Sequence, residues 1–330
     1  MKVGIKEISN ISGFSQATVS NVLNGKAGVN EETAAKIMEI ARSSGYFQSK
    51  KFKKIRLVLY KKHGNILDDT PFFSLLFEGV ETGCRENGLK LEMNVLDESK
   101  PNFETELREI TRDISSGILL VATEMCDDSI RKFSQAASPL VVIDNRFDFM
   151  PFHSVSTENE KSVYYAVRYL IGNGHQEIGF INSKVPIYNF YRREQGYRQA
   201  LKDSGLNSKL PAVELHPAME EAYLDMKKYL ETKPKLCSAY FVVDDMIAHG
   251  VIKALKESGY HIPRDVSLIG FDDLPYSAIS SPCLSTIRVF KQEMGRVAVN
   301  MLVNNIGVVG TTLHSEISTE FMNRDSIRLQ

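Results

Sequence analysis

From Ile55 onward, short apolar runs alternate with amphipathic helical stretches, and that alternation leaves few folds open to the chain. The runs IRLVLY (55–60), LKLEMNVL (89–96), GILLVA (117–122) and PLVVID (139–144) form one series. EIGFIN (177–182), AVELH (212–216), SAYFVV (238–243) and VSLIGF (266–271) form a second. Helical patterns separate them, as over 73–87, where the pattern ends at Gly88. Strands that are apolar along their length must be covered on both faces, which is the condition of a parallel sheet flanked by helices. Two series therefore predict two doubly wound α/β subdomains. Such sheets bind ligands outside the carboxyl ends of their strands, so a cleft between the two subdomains is the expected pocket.

At 330 residues, 43% hydrophobic and 25% charged, the chain has material for sizeable cores and reads as a soluble globular protein. No apolar run reaches the roughly 18 residues of a membrane span, and the first ten residues lack a secretory core, so a cytoplasmic protein is expected. Cys84, Cys126, Cys237 and Cys283 lie far apart without a CxxC pair, which argues for reduced thiols rather than disulfides or zinc. The seven histidines form no i, i+4 pair. There is no GxGxxG after a strand, no Walker A motif, no GxSxG elbow and no HExxH. Neither catalysis, nor a metal, nor a cofactor is expected.

The net charge of −1 is unevenly spread. Residues 1–56 hold ten Lys/Arg against four Asp/Glu, a net of +6, which leaves −7 on the remainder. A basic element for a polyanion and a body held off it would explain the split. Within residues 5–46 the spacing predicts three short helices: 5–12 with Ile5, Ile8 and Ile11 on one face, then 16–23 capped by Ser15, then one capped by Asn30. Gly13-Phe14 breaks the first from the second, and Asn24-Gly25 ends the second. Two helices joined by a Gly-containing turn and braced by a third make a helix-turn-helix. A generic three-helix bundle has the same periodicity, but Gln16, Thr18, Ser20 and Asn21 crowd the outer side of the second helix with short hydrogen-bonding groups suited to base edges and phosphates.

IKEISNISGFSQATVSNVLNG (5–25) followed by VNEETAAKIMEIARSSGY (29–46) resembles the head of the LacI/GalR family of bacterial repressors. By that resemblance Gln16 and Ala17 read bases in the major groove, Thr18 and Ser20 meet phosphates, and Ser15 and Asn24 flank the reading helix. Asn21 stands where many relatives carry arginine, so the target bases need not be theirs. YLIGNGHQEIGFI, RREQGYRQAL, DDMIAHGVIKALKESGYHIPRDVSLIGFDDLP and SPCLSTIRV resemble family blocks in the body, and EFMNRDSIR resembles the last crossover strand. They imply a periplasmic-binding-protein-like core at 55–330 behind a head at 1–46 and a linker at 47–54. Its N-subdomain would take about 55–155 and 286–313, its C-subdomain about 156–284 and 316–330. A homodimer on a palindromic DNA operator is implied in the same way.

Asp272 follows a strand at its carboxyl end, where a pocket acid belongs. Arg193 resembles the family's ligand-binding arginine; a planar guanidinium opposed to a carboxylate can clasp vicinal hydroxyls or a ring edge. Phe72 and Phe73 stand where relatives place a pocket side chain, and one of them could stack on a sugar or base face. Glu158-Asn159 replaces the usual Asp-Asn, and Asp244-Asp245 the usual Asn-Asp; Glu124, past the GILLVA strand, is a further candidate. A carbohydrate or polyol effector is the first reading and a nucleoside or purine the second, with a sugar receptor lacking DNA function as the alternative that leaves the head unexplained. The linker FQSKKFKK departs from the family pattern, with no proline, Ala-Arg or leucine to build a hinge helix. Eight residues reach at most about 27 Å. Lys50, Lys51, Lys53 and Lys54 could meet phosphates, and Phe52 is either a minor-groove wedge or, the preferred reading, a residue lying on the body.

Overall fold

The computed structural model describes residues 4–23, 28–44, 46, 52–67, 71–304 and 311–328. Three helices open the chain: α1 (Ile5–Ser12), α2 (Gln16–Leu23) and α3 (Glu31–Ser43). The first stops at Gly13, whose φ of 74° lies in the left-handed region that glycine enters without strain. Ser15 starts the second, its hydroxyl oxygen accepting the Thr18 N–H at 3.1 Å, and Asn30 Oδ1 accepts the Thr33 N–H at 2.8 Å to start the third. Ile8, Val19, Leu23, Ile37, Ala41 and Tyr46 bury one another to form the head's core. So small a core leaves little surplus over chain entropy, so each of these side chains counts.

The body continues with β1 (Lys54–Lys61), α4 (Phe72–Glu86), β2 (Lys90–Asp97), α5 (Phe103–Arg112), β3 (Ser116–Val121), α6 (Asp127–Arg131), β4 (Leu140–Ile143) and β5 (His153–Thr157). Next come α7 (Asn159–Gly172), β6 (Ile178–Ser183), α8 (Tyr188–Asp203), β7 (Val213–Leu215), α9 (Met219–Glu231), β8 (Ala239–Val242), α10 (Asp245–Glu257) and β9 (Ser267–Asp272). The chain closes with β10 (Ser285–Arg288), α11 (Lys291–Asn304), β11 (His314–Ile317) and β12 (Glu320–Met322).

Two six-stranded sheets result, in the orders β11-β5-β4-β3-β1-β2 and β12-β10-β9-β8-β6-β7. Strand β1 pairs in parallel with both β2 and β3, setting Val58 against Asn94 and Leu120. Strands β3, β4, β8 and β9 are buried along their whole length, as their apolar runs require. All eight runs read from the sequence are strands, in the two expected doubly wound sheets. Of the tail read as a strand over 320–328, only Glu320–Met322 is one, and it runs antiparallel to β10. Lys54, read as the last linker residue, is the first residue of β1 and pairs with Lys90 and Ser116.

The chain forms two compact units. One comprises 1–63, 78–155 and 295–315, and the other 64–77, 156–294 and 316–330. Among the described residues no helix is long and apolar enough to cross a membrane.

Candidate functional site

Two regions carry chemistry, the exposed side of α2 and a buried charged cluster in the second unit. In α2 the buried side chains are Val19 and Leu23, which turns the other side of the helix outward. Ser15, Gln16 and Ala17 are exposed on its first turn; Thr18, Ser20 and Asn21 are half-buried. Ser15 and Thr18 hydroxyls lie 2.9 Å apart, so both are tied to the cap and present themselves from a fixed position. The first turn of a helix is also its positive end, the end that a helix-turn-helix points at DNA. Asn24, Lys50 and Lys51 lie outside the described residues. Lys53 is exposed, whereas Lys54 Nζ sits 3.0 Å from a Glu92 carboxylate oxygen across β1 and β2.

The second region lies at the carboxyl ends of β8 and β9, beside α8. Arg193, on α8, is 4% exposed, and three groups fix its guanidinium. Its Nε donates to Asn159 Oδ1 at 2.9 Å, one Nη donates to the Val243 carbonyl at 2.7 Å, and the other lies 3.6 Å from Asp272 Oδ1. The guanidinium also stacks 3.6 Å from the centre of the Phe271 ring. Asn159 donates in turn to Asn189 Oδ1 at 2.9 Å, so it positions the arginine with both ends of its amide.

Asp272 ends β9 with φ at 111°, a left-handed value that a non-glycine residue holds only where its surroundings force it. Lys291 Nζ donates to its carbonyl and holds that geometry. Asp272 is buried, yet its Oδ1 accepts no hydrogen bond among the described residues. Burial raises its carboxyl above the usual range, against the opposing pull of Arg193 and Lys291. Asp244 caps α10, one oxygen accepting the Ile247 N–H at 2.8 Å. Burial first, then repulsion from Asp272, pushes it up to about 7.

The Phe72 and Phe73 rings, both buried, meet edge to face at 5.1 Å, and Lys291 Nζ lies 5.7 Å from the Phe72 ring centre. The fold thus draws Phe72, Asn159, Arg193, Asp244 and Asp272 into one neighbourhood. Glu158 is half-buried and pairs with Lys161 at 3.0 Å, a contact within the first turn of α7. Glu124 belongs to the first unit, where its Oε2 accepts the N–H groups of Lys62 and His63 at 2.9 and 3.0 Å.

Two residues of this cluster, Phe271 and Lys291, are not singled out in the sequence, and Asp245 is named there only as half of the Asp244-Asp245 pair. Asp245, fully buried, shapes the loop after β9: it accepts the Leu274 N–H at 2.9 Å and the Ser277 and Thr286 hydroxyls at 2.6 Å each. Gly270 leaves space for it, since a Cβ there would fall 2.1 Å from Asp245 Oδ1. Phe271 and Lys291 complete the set. The acidic pair DDM was a signal for Asp245; nothing in the sequence around Lys291 marks it. Chemically the cluster offers one fixed donor fork, one acceptor oxygen without a donor among the described residues, and an aromatic wall: a grip for a small molecule with adjacent donor and acceptor groups.

The sequence matches the model of bacterial regulatory proteins of the lacI family over residues 4–49 and that of a periplasmic binding protein-like domain over 167–327. It is 30% identical to the ribose operon repressor of Haemophilus influenzae over 311 residues, covering 92% of this chain and 91% of that protein. It is 28% identical over 333 residues to the HTH-type transcriptional repressor PurR of Histophilus somni, covering 98% of each. Among solved structures it resembles the lac repressor dimer bound to operator and the anti-inducer ONPF, with a TM-score of 0.72 at 18% identity over 99% of each chain.

Proposed function

Since the chain belongs to the lacI family of bacterial regulatory proteins, we propose that it is a repressor that binds operator DNA through α2 and responds to a small neutral effector held by Arg193 and Asp272. Gln16 and Ala17 read base edges, Asn21 contributes to the choice of sequence, and Ser15, Thr18, Ser20, Asn24 and the lysines at 50, 51 and 53 serve the phosphate backbone, while Lys54 is held by Glu92 and takes no part. The working form is a homodimer in the cytoplasm, with two heads on a palindromic site. Its relatives act as transcriptional repressors, and turnover of the ligand is no part of this reading.

One observation carries the effector half: a buried carboxylate oxygen that accepts no hydrogen bond among the described residues, 3.6 Å from a guanidinium that Asn159 and the Val243 carbonyl immobilise. A vicinal diol supplies a donor to Asp272 and acceptors to Arg193 at once, so a carbohydrate or polyol comes first. A purine presents the same alternation along a ring edge and is the second reading; the names of the two relatives point one way each. A gel shift on a palindromic operator library, repeated with pentoses, hexoses and purine bases, tests both halves. The expected result is a sequence-selective shift that one class of compound changes. A chain that gives no selective shift under any of these conditions is not the proposed regulator. Thermal shift with the same compounds reports binding directly, since a ligand that prefers the native state raises its apparent stability.

A further inference from the structure

Phe52 precedes β1 and is half-buried. Its ring fills the space that Gly117 of β3 leaves open: a Cβ on Gly117 would fall 2.6 and 2.8 Å from two ring carbons of Phe52 and 2.8 Å from Leu302 Cδ2 of α11. The ring therefore lies in a notch floored by glycine and walled by leucine. On the other side, Tyr46 is 7% exposed within the head's core, its N–H bonded to the Ala41 carbonyl at 3.0 Å. Ile114, in the turn between α5 and β3, packs against that same core.

We infer that Phe52 is a positioning residue for operator binding, an anchor in the Gly117 notch that sets how far each head can stand from its body without itself touching DNA. The inference rests on the reading of the head as an operator-binding element. From Tyr46 to Phe52 there are six peptide units, which span about 20 Å at most. Without the anchor the next fixed point is Lys54, held in β1, and two more residues add about 7 Å to the reach of each head. Duplex DNA rises 3.4 Å per base pair along a strand, so each head gains about two base pairs of freedom. An anchored linker makes spacing between half-sites a property of the body; an unanchored one makes it a property of the linker.

The test pairs two measurements on the full-length protein. The first is a double-mutant cycle of Phe52→Ala and Gly117→Ala read by melting temperature. Gly117→Ala should lower the melting temperature clearly in the parent and by less in the Phe52→Ala background, because the ring is gone and only the clash with Leu302 Cδ2 remains. Equal losses in both backgrounds would mean the ring does not occupy the notch, and would overturn the inference. The second is gel-shift titration on palindromes whose half-site spacing varies in single base pairs, with an isolated half-site as control. The parent should favour its best spacing at least tenfold over one displaced by two base pairs, and Phe52→Ala should cut that preference below threefold while half-site affinity stays the same. A parent-like spacing profile in Phe52→Ala refutes the inference and leaves the operator reading intact. Absence of any selective shift by the parent refutes the operator reading, and the inference falls with it.

Discussion

Asn is as good an N-cap as Asp, so Asp244→Asn keeps the bond to the Ile247 N–H that starts α10 and removes only the charge. In the unfolded chain this carboxyl ionises near 3.8, and in the folded chain burial, then Asp272, raises it to about 7, with Arg193 pulling the other way and Asp245 adding to the rise. A raised carboxyl stabilises the fold fully below its unfolded value, and that contribution is lost as the pH climbs to the folded one. From 3.8 to about 7 the loss amounts to about 4 kcal/mol at ~1.4 kcal/mol per pH unit. Asp245, also raised to about 7, competes for protons over the same interval, so the part that follows Asp244 alone is on the order of 2 kcal/mol. The advantage of Asp244→Asn over the parent should therefore widen by about that amount between pH 4.5 and pH 8, or by some 4–8 °C in the melting temperature of the body. Thermal unfolding followed by circular dichroism at both pH values measures it. A gap that stays constant with pH, or a parent that outlasts the variant at pH 8, would show that Asp244 is not held against its charge.

Arg193→Lys retains the charge but not the fork that meets Asn159, the Val243 carbonyl and Asp272 together, so thermal stabilisation by any effector should vanish while the effector-free gel shift persists. Leu23→Ala in the small head core should cost about 2–4 kcal/mol, abolishing the gel shift while the body's melting temperature is unchanged. Gln16→Ala should relax base preference at one position of each half-site, read from selection on randomised operators, without altering the salt dependence of binding. Gly270→Ala forces a Cβ against Asp245 and should lower the body's melting temperature by several degrees, with no loss of the head's own fold by circular dichroism.

Much of this architecture is legible in the sequence because apolar runs flanked by helical patterns admit few arrangements. The head is legible for a further reason, since Ser15 and Asn30 are caps whose side chains announce where helices begin. Strands β5, β10 and β11 are not legible as runs: HSVST, STIR and HSEI carry polar side chains into buried or half-buried places. Those groups find partners far along the chain, as when Ser154 Oγ meets His314 Nδ1 at 2.8 Å or Thr286 donates to Asp245, and pattern reading has no means to see such pairings. The effector cluster divides in the same way. Asp272 is marked by its place after a strand and Asn159 by its pair with Glu158, whereas the roles of Asp245 and Lys291 exist only once α10 and α11 are folded. Lys54 looked like one more basic linker residue until Glu92 across β2 claimed its charge.

The outermost strands at one end of each sheet, β11 and β12, both come from the nine residues 314–322. During synthesis the head's helices are made before the body and bury most of their core among themselves, Ile114 being a later addition. The body, by contrast, keeps β5 and β10 as open edges until residues 314–322 have been made, and open edges are where chains pair wrongly. A stop before residue 314 would therefore remove β11 and β12 and expose an edge of both sheets together while sparing the part that meets DNA. Truncation before residue 314 should thus produce a protein that still holds operator DNA weakly yet neither senses an effector nor resists aggregation.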